Sequence, residues 1–137
     1  MLKIVNEKRD DRLWLPFRVT VGLIEGYDTT AERHTLDEVK HIVGRWLLSC
    51  KHNGLPELPG MVSEKTVLYT RRTDGELLEE PVAVFEGEVN PLRVPEGTTE
   101  ERLILALWDL AEMFAFELHQ TRIYVKFDDH MTVLEDQ

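Results

Sequence analysis

An α+β domain in the order strand, helix, strand, strand, helix, strand is the fold class that the sequence predicts, and three observations support it. Alternating apolar residues occupy 17–24, 62–71, 81–89 and 122–127, the period of a half-buried strand. Two stretches, 36–51 and 99–119, instead repeat apolar residues every three to four positions, each behind a threonine–glutamate start signal. Thr73-Asp74-Gly75 separates the second and third alternating runs and makes them a hairpin, because glycine supplies a positive φ. The order is that of the ferredoxin-like βαββαβ fold, with two helices on one face of a four-stranded antiparallel sheet.

In the first strand, Phe17, Val19, Val21 and Leu23 alternate with Arg18, Thr20, Gly22 and Ile24, which gives one apolar face and one mixed face. The first helix opens with Thr35-Leu36-Asp37-Glu38, a capping box in which hydroxyl and carboxylate satisfy orphaned amides. Leu36, Val39, Val43, Trp46, Leu47 and Cys50 share one of its faces, and Asn53-Gly54 ends it. In the third strand, Ala83, Phe85 and Val89 face the helices, and Val82, Val84, Glu86 and Glu88 point outward.

The second helix repeats the start signal with Thr98-Thr99-Glu100-Glu101. Its core stripe is Leu103, Leu107, Leu110, Ala111, Phe114 and Leu118, while Glu101, Asp109 and Glu112 gather on the opposite side. Leu105 and Phe116 fall in that polar sector with Trp108 at its edge, so the helix has more apolar surface than one sheet can bury. These three are the expected interface residues of a homo-oligomer, a two-fold dimer being the commonest solution. In the last strand Ile123, Val125 and Phe127 alternate with Arg122, Tyr124 and Lys126. Residues 1–16 form an extension or edge strand, 128–137 a tail able to add another strand, and 1–137 a single domain.

The chain has 137 residues, 42% of them hydrophobic, enough for one domain with a real core. With 26 acidic against 16 basic residues its formal charge is −10, which argues against sequence-independent binding to nucleic acid or an anionic membrane. Cys50 is the lone cysteine, so no intrachain disulfide and no multi-cysteine metal site is expected. The amino terminus lacks a signal-like apolar stretch, and charges interrupt 103–118; a soluble, cytoplasmic protein follows as the expectation.

Chemistry is less legible. Asp128-Asp129-His130 has donors that suit a divalent metal but reads better as a solvated turn, and no metal or cofactor is expected. Cys50 lies on an apolar helix stripe, where a thiol is inert. His41, Arg45, Leu48 and His52 line the outer face of the first helix as a solvated stripe. The ferredoxin-like order makes the first and third strands central and puts the fourth beside the first. Arg18, Thr20, Glu86, Glu88, Arg122, Tyr124 and Lys126 then share the outer sheet face, a candidate site for an anionic small molecule, with a glutamate as base and Tyr124 as donor. Cross-strand ion pairing on a solvated face is the plainer account of the same residues.

Three functions stay open. The first is a small homo-oligomeric module that binds a protein partner or small ligand through its sheet face. The second is a cofactor-independent enzyme, an isomerase or oxygenase of dimeric α/β-barrel type, acting on an anionic small molecule. The third, an acidic inhibitor or nucleic-acid mimic, ranks last because the acids are dispersed along the chain.

Overall fold

The computed structural model describes residues 1–2, 14–25 and 32–135. Its elements are β1 (Pro16–Gly22), α1 (Leu36–His52), β2 (Met61–Thr70), β3 (Leu77–Glu88), α2 (Glu100–Glu117), β4 (Arg122–Phe127) and β5 (His130–Glu135). The strands form one antiparallel sheet in the order β2-β3-β1-β4-β5. This is the expected α+β, ferredoxin-like order, with β5 added at one edge by the tail. The proposed edge strand around Leu2, Ile4 and Val5 lies almost wholly outside the described residues.

Both helices begin on a threonine. Thr35 accepts the backbone N–H of Glu38 at 3.2 Å, and the Glu38 carboxylate accepts that of Thr35, which completes the capping box. His34 Nδ1 lies 2.7 Å from the same carboxylate, and this hydrogen bond is the main reason its pKa falls below the usual glutamate range. At the second helix Thr99 is the cap and receives Arg102 N–H, so residue N3 is an arginine and no glutamate returns the bond.

The far ends match each other. Gly54 (φ 66) and His119 (φ 53) both take the left-handed conformation. The next residues close the last turn, Leu55 N–H donating to Cys50 O and Gln120 N–H to Ala115 O. For His119, which has a Cβ, this conformation is unfavourable by about 1–2 kcal/mol.

The inner sheet face and the helices enclose the core. Phe17, Val19, Val21, Phe85, Ile123, Val125 and Phe127 pack beneath Val39, Ile42, Trp46, Leu103, Leu107, Leu110 and Phe114, all at most 3% exposed. Phe85 lies at the centre, its ring 5.5 Å from Phe17 and edge-on to Trp46 at 5.9 Å.

Three departures from the sequence reading have local causes. β3 starts at Leu77 rather than residue 81 and pairs with β2 as far as Thr70; Pro81, which has no N–H to donate, interrupts the alternation there. β1 stops at Gly22, after which Ile24 makes only an isolated bridge to Arg33. Val82 and Val84, expected to point outward from the sheet, are nonetheless only 7% and 3% exposed in the single chain. β3 is an inner strand, so side chains of β1 and β2 flank theirs.

On α2, Phe116 is 81% and Leu105 48% exposed, whereas Trp108 is partly buried and packs against the core. Among the described residues no helix is long and apolar enough to cross a membrane.

Neighbouring phenylalanines on α2 therefore respond differently to truncation. Phe114→Ala is expected to cost about 3–5 kcal/mol in urea-induced unfolding, and Phe116→Ala less than about 0.5 kcal/mol at protein concentrations that exclude self-association.

Candidate functional site on the outer sheet face

The strand register settles which predicted residues meet. Arg18 of β1 stands opposite Glu86 of β3 and Lys126 of β4, with Met61 beyond Glu86 and Met131 beyond Lys126. The next row runs Ser63, Val84, Thr20, Tyr124, Val133. All seven expected residues thus lie on or beside the outer face, but not as one cluster.

Arg18, Glu86, Glu88 and Lys126 line a pocket of about 280 Å³ at one end, with Asp128 and Met61. Glu86 pairs with Lys65 at 3.5 Å. Arg18 and Lys126 face each other with no ion pair recorded among the described residues. Like charges directly opposite are destabilising, and an anion or zwitterion in the pocket would offset the repulsion.

Thr20 and Tyr124 lie in the middle of the face, while Arg122 turns to the β5 edge. Its guanidinium is held above the usual arginine range first by the hydroxyl of Tyr124 and then by Glu135, 3.3 Å away.

The other end of the face holds a group that sequence reasoning missed. Glu80 has the parity of Val82 and Val84 and is partly buried. Burial pushes its carboxyl above the ordinary glutamate value, whereas the carboxyls of Glu38 and Asp74 are held below theirs by hydrogen bonds. No donor or ion-pair partner to Glu80 is recorded among the described residues. A desolvated carboxylate without a partner is costly, so such groups cluster at functional sites.

Glu80 shares its place with Gly22 and Gln120. A Cβ on residue 22 would stand 3.2 Å from Glu80 Oε1 and 2.6 Å from Gln120 Oε1, so a larger residue there would push these side-chain ends aside. Their positions, 22, 80 and 120, carry no spacing that a sequence pattern exposes; the available hint was a glycine at the end of an otherwise branched strand.

Elsewhere, a groove of about 540 Å³ between α1 and α2 is lined by Trp46, Cys50, Asp109, Met113 and Phe116. Cys50 is buried, and burial, then Asp109 and Glu57, raise its thiol pKa, the reverse of an activated nucleophile. Asp128 (φ 55) starts the β4–β5 turn, and among the described residues no three acidic, histidine or cysteine side chains are grouped to hold a metal ion.

No protein-family model matches the chain, and no curated protein sequence does. Solved structures do. A phage SAM lyase in complex with S-methyl-5'-thioadenosine superposes with a TM-score of 0.62 at 18% identity, over 90% of each chain. A phage SAM lyase in the apo state gives 0.61 at 15% identity, again over 90% of each chain. At such identity the likeness is one of fold.

Glu80 links stability to pH. Its pKa is higher folded than unfolded, so its contribution is complete below about pH 4, where both states hold the proton, and is lost as pH rises through the folded value. Glu80→Gln carries no charge at any pH. Its melting temperature should exceed that of the wild type by about 1–3 °C at pH 8, and calorimetry should show the two converging toward pH 4.

Proposed function

We propose that the chain is a cofactor-independent enzyme that cleaves S-adenosylmethionine to S-methyl-5'-thioadenosine, with the substrate on the outer sheet face at its Glu80 end. The observation that carries this reading is the extent of the likeness to the lyase, 90% of both chains, which spans the whole architecture rather than one shared motif. It also replaces an anionic substrate with a cationic one, which suits a chain of net charge −10.

The chemistry needs little from the protein. To leave S-methyl-5'-thioadenosine, the bond from sulfur to the γ-carbon of the amino-acid chain must break, its electron pair going to sulfur. The substrate's own carboxylate oxygen forms the new bond to that carbon and closes a five-membered lactone. The sulfonium is already an activated leaving group, no proton moves, and the single positive charge left is that of the α-ammonium.

Two contributions accelerate such a step. Holding the carboxylate against the γ-carbon removes the entropy of folding the chain back. Excluding water favours a transition state in which opposite charges cancel. Glu80 serves binding rather than the step itself, because the ammonium it would hold keeps its charge from ground state to transition state, and a partly buried carboxylate without a recorded partner gains more from that ammonium than a solvated one.

A second reading rests on the facing cations Arg18 and Lys126 and their pocket: a module that holds a small anion or zwitterion without transforming it. In either reading, exposed Leu105 and Phe116 are offered as a contact between copies.

Incubation of the purified chain with S-adenosylmethionine should release S-methyl-5'-thioadenosine, followed by chromatography, well above the uncatalysed background. Glu80→Gln should lower kcat/KM by roughly 10²-fold, while Arg18→Ala leaves it within about threefold. Release no faster than background would sink the lyase reading. Retention of a small anion that is lost in Arg18→Ala would then favour the module.

A further inference from the structure

The pocket at the Arg18 end carries its charges in two rows. In the first, Arg18 stands opposite Lys126 on one side and Glu86 on the other. Two residues on, roughly 7 Å along the strands, Pro16 stands opposite Glu88. The N–H of Asp128 donates to Pro16 O at 2.7 Å from the other side. Glu88, Pro16 and Asp128 therefore form a second row, in which two acids flank a residue with no polar side chain. Both rows line the same cavity of about 280 Å³.

These charges do not neutralise one another. Glu86 is turned to Lys65 on β2. Among the described residues no ion pair is recorded for Arg18, Lys126, Glu88 or Asp128. Arg18 and Lys126 are half-buried, while Glu88 and Asp128 are exposed. A simple anion drawn to the two cations would meet two unpaired acids one row away, and a simple cation would meet Arg18 and Lys126. A ligand that carries both signs a short distance apart satisfies both rows. In an α-amino acid a single carbon separates carboxylate from ammonium. A charge-assisted hydrogen bond of about 2.8 Å at each end extends its reach to the spacing of the rows.

We propose that this pocket binds a free α-amino acid with an apolar side chain, its carboxylate on Arg18 and Lys126 and its ammonium on Glu88 and Asp128. The side chain lies against Met61, which lines the pocket and is 70% exposed, so that binding removes apolar surface of both from water. In naming the ligand this deepens the second reading above and rests on it. The site is separate from the Glu80 end, roughly 20 Å away along β3.

The test is an NMR titration of the isotope-labelled wild-type chain with L-leucine, N-acetyl-L-leucine, which lacks the ammonium, and 3-methylbutylamine, which lacks the carboxylate. Leucine should shift the backbone amides of Arg18, Gly87 and Lys126 saturably below about 10 mM. Each analogue should bind at least about tenfold more weakly, as should leucine to Lys126→Ala and to Asp128→Asn. No saturable shift at these amides overturns the proposal, and that result needs no variant to fold. Equal binding of N-acetyl-L-leucine overturns the zwitterion and leaves a site for simple anions; equal binding of the amine, or unchanged affinity in folded Lys126→Ala, also overturns it. S-adenosylmethionine carries the same head group, so its cleavage is followed in saturating leucine. An unchanged KM supports a site for a free amino acid, and competition overturns that assignment in favour of the substrate's own head group. The pocket and the lyase reading fail separately: leucine binding without thioadenosine release upholds the first alone, and release without leucine binding upholds the second alone.

Discussion

β1 has no free edge. All seven of its residues pair with β3 on one side and five pair with β4 on the other, so this short strand joins the hairpin β2–β3 to the hairpin β4–β5. Its inward side chains, Phe17, Val19 and Val21, are at most 2% exposed and form the floor beneath both helices. Its outward positions, Arg18, Thr20 and Gly22, mark three successive rows of the outer face. Because side chains alternate strictly along a strand, slippage by one residue would drive Arg18 into the core and turn Phe17 to solvent. Core and candidate site are therefore two sides of one register.

That face is electrically divided. At one end Arg18 and Lys126 oppose each other among three carboxylates; at the other a single carboxylate sits with a neutral amide over a glycine. From Glu86 to Glu80 along β3 is about 20 Å at the rise of a strand, too far for one amino-acid head group to touch both. The mixed pocket suits a group carrying either sign, and the Glu80 end suits one positive charge poorly served by water.

The sequence disclosed most of the fold because the fold rests on local signals. Thr35 with Glu38, Thr99 before Leu103, and the Thr73–Gly75 turn each announce an element by chemistry confined to four residues. Alternation in β1 and β4 also announces a shared face, and the register sets Arg18, Glu86 and Lys126 in one row of it. The Glu80 end was hidden for two physical reasons. Pro81 masked the first residues of β3, so Glu80 lay outside the alternating run that begins at residue 81. Gln120 follows a helix end, where a polar residue is ordinary, and only the tertiary fold brings it to Gly22. Burial likewise misled at Val82 and Val84, since a strand's outward side can be closed by its own neighbours.

β3 passes through two environments along its length. Residues 82–86 have strand neighbours on both sides, whereas residues 77–80 pair with β2 alone, Pro81 O still accepting the N–H of Leu23. Cooperative protection of backbone amides follows such buttressing, so local opening costs far less in the projecting half of the hairpin than in the half that carries Phe85. Glu80 lies just past that boundary. Its carboxylate rides on the first stretch of the sheet that can breathe without exposing the core, and the candidate site thus has freedom to adjust around a ligand that the residues beneath it lack.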